Sequence, residues 1–323
     1  MTKESSRRPG AGGNTVAIIG AGQVGSACAF SLAHSGVASD IILIDVAKDR
    51  AEGEAMDISH GVAFLPPTTV RTADYSACAE ADVVVITAGT ARKPGETRMD
   101  LLQRNAGIMR GVLEGIKDHR ADAVIVMVAN PVDVMAYAAH KLSDFPPPQI
   151  IATGTLLETA RLRYMVGEHC GVAPNSVEGY TLAEHGETQV TPWSQVRVAG
   201  LPVAAYCQGA GIAWGPEVEA TIAGRVKKGG ADVIARKNAT FYGIAVCTMT
   251  LVKAILRDEH AVLPVSTLVN GAYGMQDVYI SLPTVIGRAG VIRTLTPELT
   301  AAEQEALGKS AQALRTAIGE AGF

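Results

Sequence analysis

Several things are missing from this chain, and each absence removes a class of protein. No two cysteines form a C-x-x-C pair, and the five present (Cys28, Cys78, Cys170, Cys207 and Cys247) show no metal-ligand spacing with the seven histidines. An odd, unpatterned count points to reduced thiols in a core, so neither a disulfide framework nor a metal is expected. No apolar run approaches the roughly 20 residues of a membrane span. Positive charge is not in excess either. The net charge of −4 and a pI near 6.0 argue against nucleic acid or an anionic membrane as the main partner. There is no internal repeat and no low-complexity segment. The opening "MTKESSRRPGAGG" is polar and glycine-rich, without the apolar stretch of a signal sequence. Residues 1–13 are therefore expected to form a disordered arm, and the protein to be soluble and cytoplasmic.

What is there is apolar and ordered in pattern. With 323 residues, 48% of them hydrophobic, the chain can bury a sizeable core and divide into two lobes. Up to about residue 152, short apolar runs alternate with helical stretches. The runs are "TVAIIG" (15–20), "IILID" (41–45), "TTVRTA" (68–73), "DVVVIT" (82–87), "AVIVMV" (123–128) and "QIIAT" (149–153). Several are apolar throughout, as in parallel strands covered on both faces. The intervening helices are expected at 24–34 and 101–117, which gives an α/β Rossmann fold with a doubly wound parallel sheet over residues 14–152.

Residues 153–323 have a different texture and read as an α+β substrate domain. "PNSVEGYTLAEHGETQVTPWSQVRVAGLPV" alternates and turns often, suggesting antiparallel ribbons. One long helix is expected from about Ala231 to Arg257, followed by strands in "AVLPVSTLVNGAYG" and "DVYISLPTVIG". A last helix should start at Thr300, where Thr300 and Glu303 fit a capping box, with Leu307, Ala311, Leu314 and Ile318 on one face.

Gly20, Gly22 and Gly25 form G-x-G-x-x-G between the first strand and a helix. With 34 glycines in the chain the spacing alone says little, but its context is the required one. Gly20 permits the tight turn, Gly22 lets a pyrophosphate approach the backbone, and Gly25 allows close helix–strand packing. The helix N-terminus then offers unpaired N–H groups to the phosphates. Asp45 ends the second run, where a carboxylate accepts ribose hydroxyls and repels a 2′-phosphate. That favours NAD over NADP.

"GAGQVG", "TAGTARKPGETRMDLLQRN", "ANPVDV", "LLETARLRYMVG" and "AEHGE", in this order, resemble the L-lactate/L-malate dehydrogenase family from Thr15 to the C-terminus. The resemblance implies an NAD-dependent L-2-hydroxyacid dehydrogenase, assembled as a homodimer or homotetramer. It places Gln23, Val24 and Val128 along the cofactor, with Thr87, Ala88 and Gly89 in the loop after the fourth strand. It makes His185 the proton donor, Glu158 the carboxylate that orients it, and Arg161 the grip on the substrate carboxylate. Arg98 is implied to polarise the reacting carbonyl when its loop closes, Asn130 to lie near the nicotinamide carboxamide, and Thr240 to line the substrate pocket.

Arg92 speaks to substrate choice. Lactate dehydrogenases of the family usually carry glutamine there and malate dehydrogenases arginine. In a closed pocket an arginine needs an anion, and at about 4 Å with an effective dielectric near ~20 the attraction is roughly 4 kcal/mol before desolvation. Pyruvate would leave that charge unpaired. The expectation is therefore oxaloacetate/L-malate, with pyruvate/L-lactate, or a phosphonate or sulfonate analogue such as phosphonopyruvate, as alternatives. The frame itself is mixed. "GETR" and "KNATFYGIA" are lactate-type, Glu158 and Glu187 replace aspartates, and Ala183 stands where glycine is usual. Arg163 matches the family's fructose 1,6-bisphosphate arginine, but Glu178 replaces its histidine partner, so no activation is expected. An NAD-dependent glycosidase would need a Cys/His metal pair that no motif supplies. A non-enzymatic NAD sensor would bind the cofactor and oxidise nothing.

Overall fold

The computed structural model describes residues 14–90 and 98–323, without the side chains of residues 98 and 99. The first expected run forms β1 (Thr15–Ile19), and helix α1 (Gln23–Ser35) follows the glycine turn. Next come β2 (Asp40–Ile44), α2 (Lys48–Gly61), β3 (Thr69–Thr72), β4 (Val83–Ile86) and α3 (Arg98–Gly115). Then β5 (Val124–Met127), α4 (Val132–Leu142), β6 (Ile150–Ala152) and α5 (Leu156–Cys170) complete the alternation. All six runs are strands, paired in parallel in the order β6-β5-β4-β1-β2-β3. This is the doubly wound arrangement, and its switch point lies between β1 and β4.

Several of these strands are apolar throughout, and the cause is direct; the edge strand β3, with Thr69, Arg71 and Thr72 partly exposed, is the exception. Ala17 and Ile19 face one core while Val16 and Ile18 face the other, and Ile42 and Ile44 divide from Ile41 and Leu43 in the same way. Helices cover both faces, so neither alternate set can be polar.

The second half adds the small antiparallel sheet β7 (Val177–Glu178), β8 (Arg197–Val198) and β9 (Leu201–Pro202), then α6 (Val203–Ala210). It continues with α7 (Pro216–Lys237), α8 (Tyr242–Leu256), β10 (Ala261–Val269), β11 (Val278–Gly287), β12 (Gly290–Thr294) and α9 (Ala301–Glu320). β10, β11 and β12 extend the large sheet beyond β6 as antiparallel strands, giving nine in all among the described residues. The Thr300/Glu303 capping box is formed, and the face of Leu307, Ala311, Leu314 and Ile318 is buried.

One expectation is corrected. The stretch 231–257 is not a single helix but the end of α7 and all of α8. Asn238 adopts a left-handed φ of 64° and caps α7, a conformation asparagine tolerates better than most residues. The Lys237 ammonium lies 3.7 Å from the Phe241 ring centroid and 4.2 Å from that of Tyr242, across the break. α7 also begins well before 231, with Pro216 in its first turn, where a missing N–H costs nothing. All five cysteines are buried free thiols. The expected arm at 1–13 lies outside the described residues.

Candidate active site

The loops after β1 and β4 meet at the switch point. Gly20 has φ +101°, and a Cβ there would fall 2.7 Å from Thr87 Oγ1. The Thr87 hydroxyl donates to the Gly20 carbonyl at 2.9 Å. A Cβ on Gly25 would lie 1.8 Å from the Gly20 carbonyl oxygen, so α1 can pack this closely only without a side chain. Around Gly22 the space is open: a Cβ would meet nothing nearer than Arg50 Nη2 at 4.0 Å. Open space over the first turn of a helix suits a pyrophosphate.

Asp45 accepts the Ala21 N–H at 2.6 Å and the Ala47 N–H at 2.8 Å. It lines a hollow of about 300 Å³ with Lys48, Glu52 and Thr72, and such a hollow beside a carboxylate suits a ribose. Gln23 is exposed at the start of α1, and Ala88 is half-buried beside Thr87. These residues fit NAD.

A second cavity, about 520 Å³, joins the two halves of the chain. Val24, Thr87, Gly89, Val128 and Asn130 line it from the nucleotide side, and Glu158, Arg161, His185 and Thr240 from the other. α5 supplies Glu158 and Arg161 one turn apart. Glu158 is buried and bonds in two directions: its Oε2 accepts from His185 Nδ1 at 3.0 Å, and its Oε1 accepts from Arg161 Nη1 at 2.9 Å. Burial alone would push the Glu158 carboxyl up, but the His185 and Arg161 charges hold it below the usual carboxylate range. For His185, burial works against the charged ring, and the Glu158 carboxylate outweighs it, so the imidazole is pushed up to about 9.

Two positioning residues escaped sequence reasoning although both lie in quoted motifs. The Asp133 carboxylate on α4 accepts the His185 backbone N–H at 2.9 Å and fixes the loop that carries the ring. Burial pushes Asp133 up to about 6. Asn105 on α3 accepts the Thr90 N–H at 3.0 Å and donates to the Asn130 carbonyl at 2.8 Å, so it ties two cavity loops together. Neither role follows from local sequence, because the partners are distant in the chain.

The departures from the family pattern now have locations. Ala183 has φ 78° and is fully buried, which explains why glycine is usual there. Glu187 is exposed and pairs with Lys227 of α7 at 2.8 Å, at the cavity rim. Arg163 and Glu178 line a separate cavity of about 670 Å³ with Tyr180 and Arg197. There Arg163 donates to the Gly179 carbonyl at 3.1 Å and lies over the Tyr180 ring. Arg92 and the side chain of Arg98 lie outside what the structure describes. Among the described residues no group of three or more His, Cys, Asp or Glu could hold a metal ion, and no helix is long and apolar enough to cross a membrane.

Fold and site together define an NAD-dependent oxidoreductase of 2-hydroxy acids. The chain belongs to the lactate/malate dehydrogenase family: its NAD-binding domain model matches residues 14–152 and its alpha/beta C-terminal domain model residues 155–322. It is 39% identical over 307 residues to an L-lactate dehydrogenase of Thermoanaerobacter sp. (strain X514), covering 95% of this chain and 99% of that one. L-lactate dehydrogenase 1 of Clostridium acetobutylicum is 40% identical over 303 residues, or 94% of this chain and 97% of the relative. Among solved structures, a minor L-lactate dehydrogenase from Enterococcus mundtii in its ligand-bound form matches with a TM-score of 0.91 at 35% identity, covering 95% of this chain and 98% of the other.

Proposed function

We propose that the protein interconverts pyruvate and L-lactate with NADH and NAD. The reaction rests on one observation: a buried Glu158 that holds His185 by Nδ1 and Arg161 by Nη1 inside a cavity shared with the nucleotide loops. The choice of pyruvate is supported by the relatives, which are L-lactate dehydrogenases. They favour this substrate over the oxaloacetate expected from Arg92.

NADH, when bound, supplies the hydride. Glu158 occupies Nδ1 of His185 and leaves Nε2 to hand a proton to the carbonyl oxygen; in the reverse direction Nε2 takes it back. The carboxylate keeps the imidazolium stable until transfer. Arg161 retains N–H groups for the substrate carboxylate and fixes its orientation. Arg98, by its motif, would stabilise charge developing on the carbonyl oxygen. Asn130 and Thr240 complete the wall.

A second reading keeps an anionic tail on the substrate, as in oxaloacetate or phosphonopyruvate. Arg92 in the sequence and Lys227 in the cavity wall favour it. NADH oxidation with pyruvate, oxaloacetate and phosphonopyruvate separates the two. The highest kcat/KM is expected for pyruvate, and a higher one for either dianion would install the second reading. In that event Arg92→Gln should return the preference to pyruvate. NADH binding without turnover on any 2-keto acid would leave a sensor.

The proposed domains are 14–152 for NAD and 153–323 for the substrate. A homodimer or homotetramer is supported by exposed apolar side chains on α1, α2 and α8, among them Phe30, Met56, Tyr242 and Val246. Five unpaired thiols fit a reducing compartment such as the cytoplasm.

A further inference from the structure

The turn that carries His185 is closed at its base and pinned from beneath. Leu182 and Val190 exchange backbone hydrogen bonds at 2.7 and 2.9 Å, so residues 183–189 form one loop. Inside it Glu184 is buried, and Gly186 passes so close that a Cβ there would stand 2.9 Å from Glu184 Cδ. Glu184 Oε2 accepts from Thr188 twice, from the backbone N–H at 3.1 Å and from the hydroxyl. The third member comes from the far end of the chain. Ser310 of α9 accepts the Glu184 N–H on its Oγ at 3.1 Å, and that Oγ lies 2.7 Å from Thr188 Oγ1.

A carboxylate only accepts, so the Thr188 hydroxyl gives its proton to Glu184 and the Ser310 hydroxyl must donate to Thr188. The bonds then run in one closed circuit, from the Glu184 N–H to Ser310, on to Thr188 and back to Glu184. Ser310 is fully buried and is the one polar side chain on the buried face of α9. Packing there asks for no more than alanine, which stands next to it at Ala311. The circuit accounts for the hydroxyl.

We infer that Ser310 and Thr188 are positioning residues, whose hydroxyls hold the turn that presents His185 to Glu158 and to the substrate. This rests on the reading that His185 passes a proton to a 2-keto acid. His185 Nδ1 meets Glu158 Oε2 between two elements, this turn and α5, so the 3.0 Å bond lasts only while the turn keeps its place. Asp133 of α4 fixes the turn at the His185 N–H itself. The circuit fixes the residue before His185 and the third residue after it. Charged groups stand on every side: Glu158 and Arg161 of α5, Asp133 of α4, and Glu184 on the turn, with Glu187 and Lys227 at the rim.

Thr188→Val and Ser310→Ala each open the circuit, and each is measured in pyruvate reduction across pH and in NADH binding by fluorescence. In both, kcat should fall by between about tenfold and a hundredfold, the scale of a misplaced catalytic group. The alkaline limb of kcat/KM should move down by about half a pH unit or more, because a looser Glu158 contact holds the imidazolium less well. KM for pyruvate and Kd for NADH should stay within about twofold, since Arg161 and the nucleotide loops keep their own anchors. Thr188→Ser keeps the hydroxyl and should restore both kcat and the limb. The double variant should do no worse than the more impaired single one, as both break one circuit. A lower Tm with kcat and limb unchanged in the single variants would make the circuit merely structural and overturn the inference. So would a loss in Thr188→Ser as large as in Thr188→Val. Either single variant suffices if the other fails to fold. If the native protein oxidises NADH with no 2-keto acid, the proposed function falls and this inference with it. Native activity with unaffected variants removes only the inference.

Discussion

Glu158 Oε1 accepts from Arg161 Nη1 at 2.9 Å, while the other oxygen of the same carboxylate is committed to His185. One buried acid thus orients both the proposed proton carrier and the proposed substrate grip. The aspartate usual in the family is a methylene shorter. Here the longer side chain spans from α5 to the loop of His185 and still reaches the guanidinium on its own helix.

Removing that charge should show first in the pH dependence. With His185 at about 9, kcat/KM for reduction should hold to near that pH and then fall, while oxidation should rise through the same range. Glu158→Gln leaves the burial and takes away the counter-charge. Both limbs should then move down by roughly two pH units, within the usual range for a neighbouring opposite charge. Limbs that stay in place would mean another group sets them.

The same pair makes a statement about stability. His185 has a folded value of about 9 against an ordinary 6.5, so its contribution is complete below about pH 6.5 and lost as pH rises through 9. Urea unfolding of the native protein and His185→Gln should therefore differ most near pH 6 and converge near pH 10. Asp133 acts with its own sign. A buried acid raised to about 6 favours its protonated form, so its penalty grows as pH rises from about 4 to 6.

Ala183 offers a gain. A buried alanine at φ 78° bears strain of about 1 kcal/mol or more that glycine would not. Ala183→Gly should raise Tm by about 1–2 °C for each kcal/mol relieved in a chain of this length, with activity changed little if the loop of His185 keeps its course. A lower Tm in calorimetry would show that lost packing outweighs the relief.

Lys227 separates the two substrate readings from a second direction. Its partner Glu187 is exposed, and a surface ion pair of this kind is worth at most about 1 kcal/mol, so a substrate anion could displace it. Under the dianion reading, Lys227→Gln should raise KM for oxaloacetate several-fold more than for pyruvate. Under the pyruvate reading the two should move together.

Fructose 1,6-bisphosphate should leave KM unchanged. In the cavity that holds Arg163, the exposed carboxylate of Glu178 would face a phosphate, and like charges repel. A lower KM in its presence would contradict this.

Much of the fold was legible because local pattern and global packing agree. Strands buried on both faces must be apolar at every position, and several of the six runs say so; β3, at the sheet edge, carries Thr69, Arg71 and Thr72 and stays partly exposed. The capping box at Thr300 is likewise local chemistry. The break at Asn238 was not legible, because the apolar spacing continues on both sides of it and only the left-handed conformation marks it. In the site, Glu158, Arg161 and His185 came through their motifs. Asp133 and Asn105 did not, since their bonds reach 52 and 25 residues along the chain.

The large sheet does not stop where the nucleotide half ends. β6 and β10 pair at Ala152 and Ser266, and α8 packs on α1 across the same boundary. Both main cores draw side chains from before and after residue 152. The two lobes therefore share a seam and cannot part like jaws. Admission of substrate falls to pieces at the rim, and heating should melt the whole chain in one calorimetric peak.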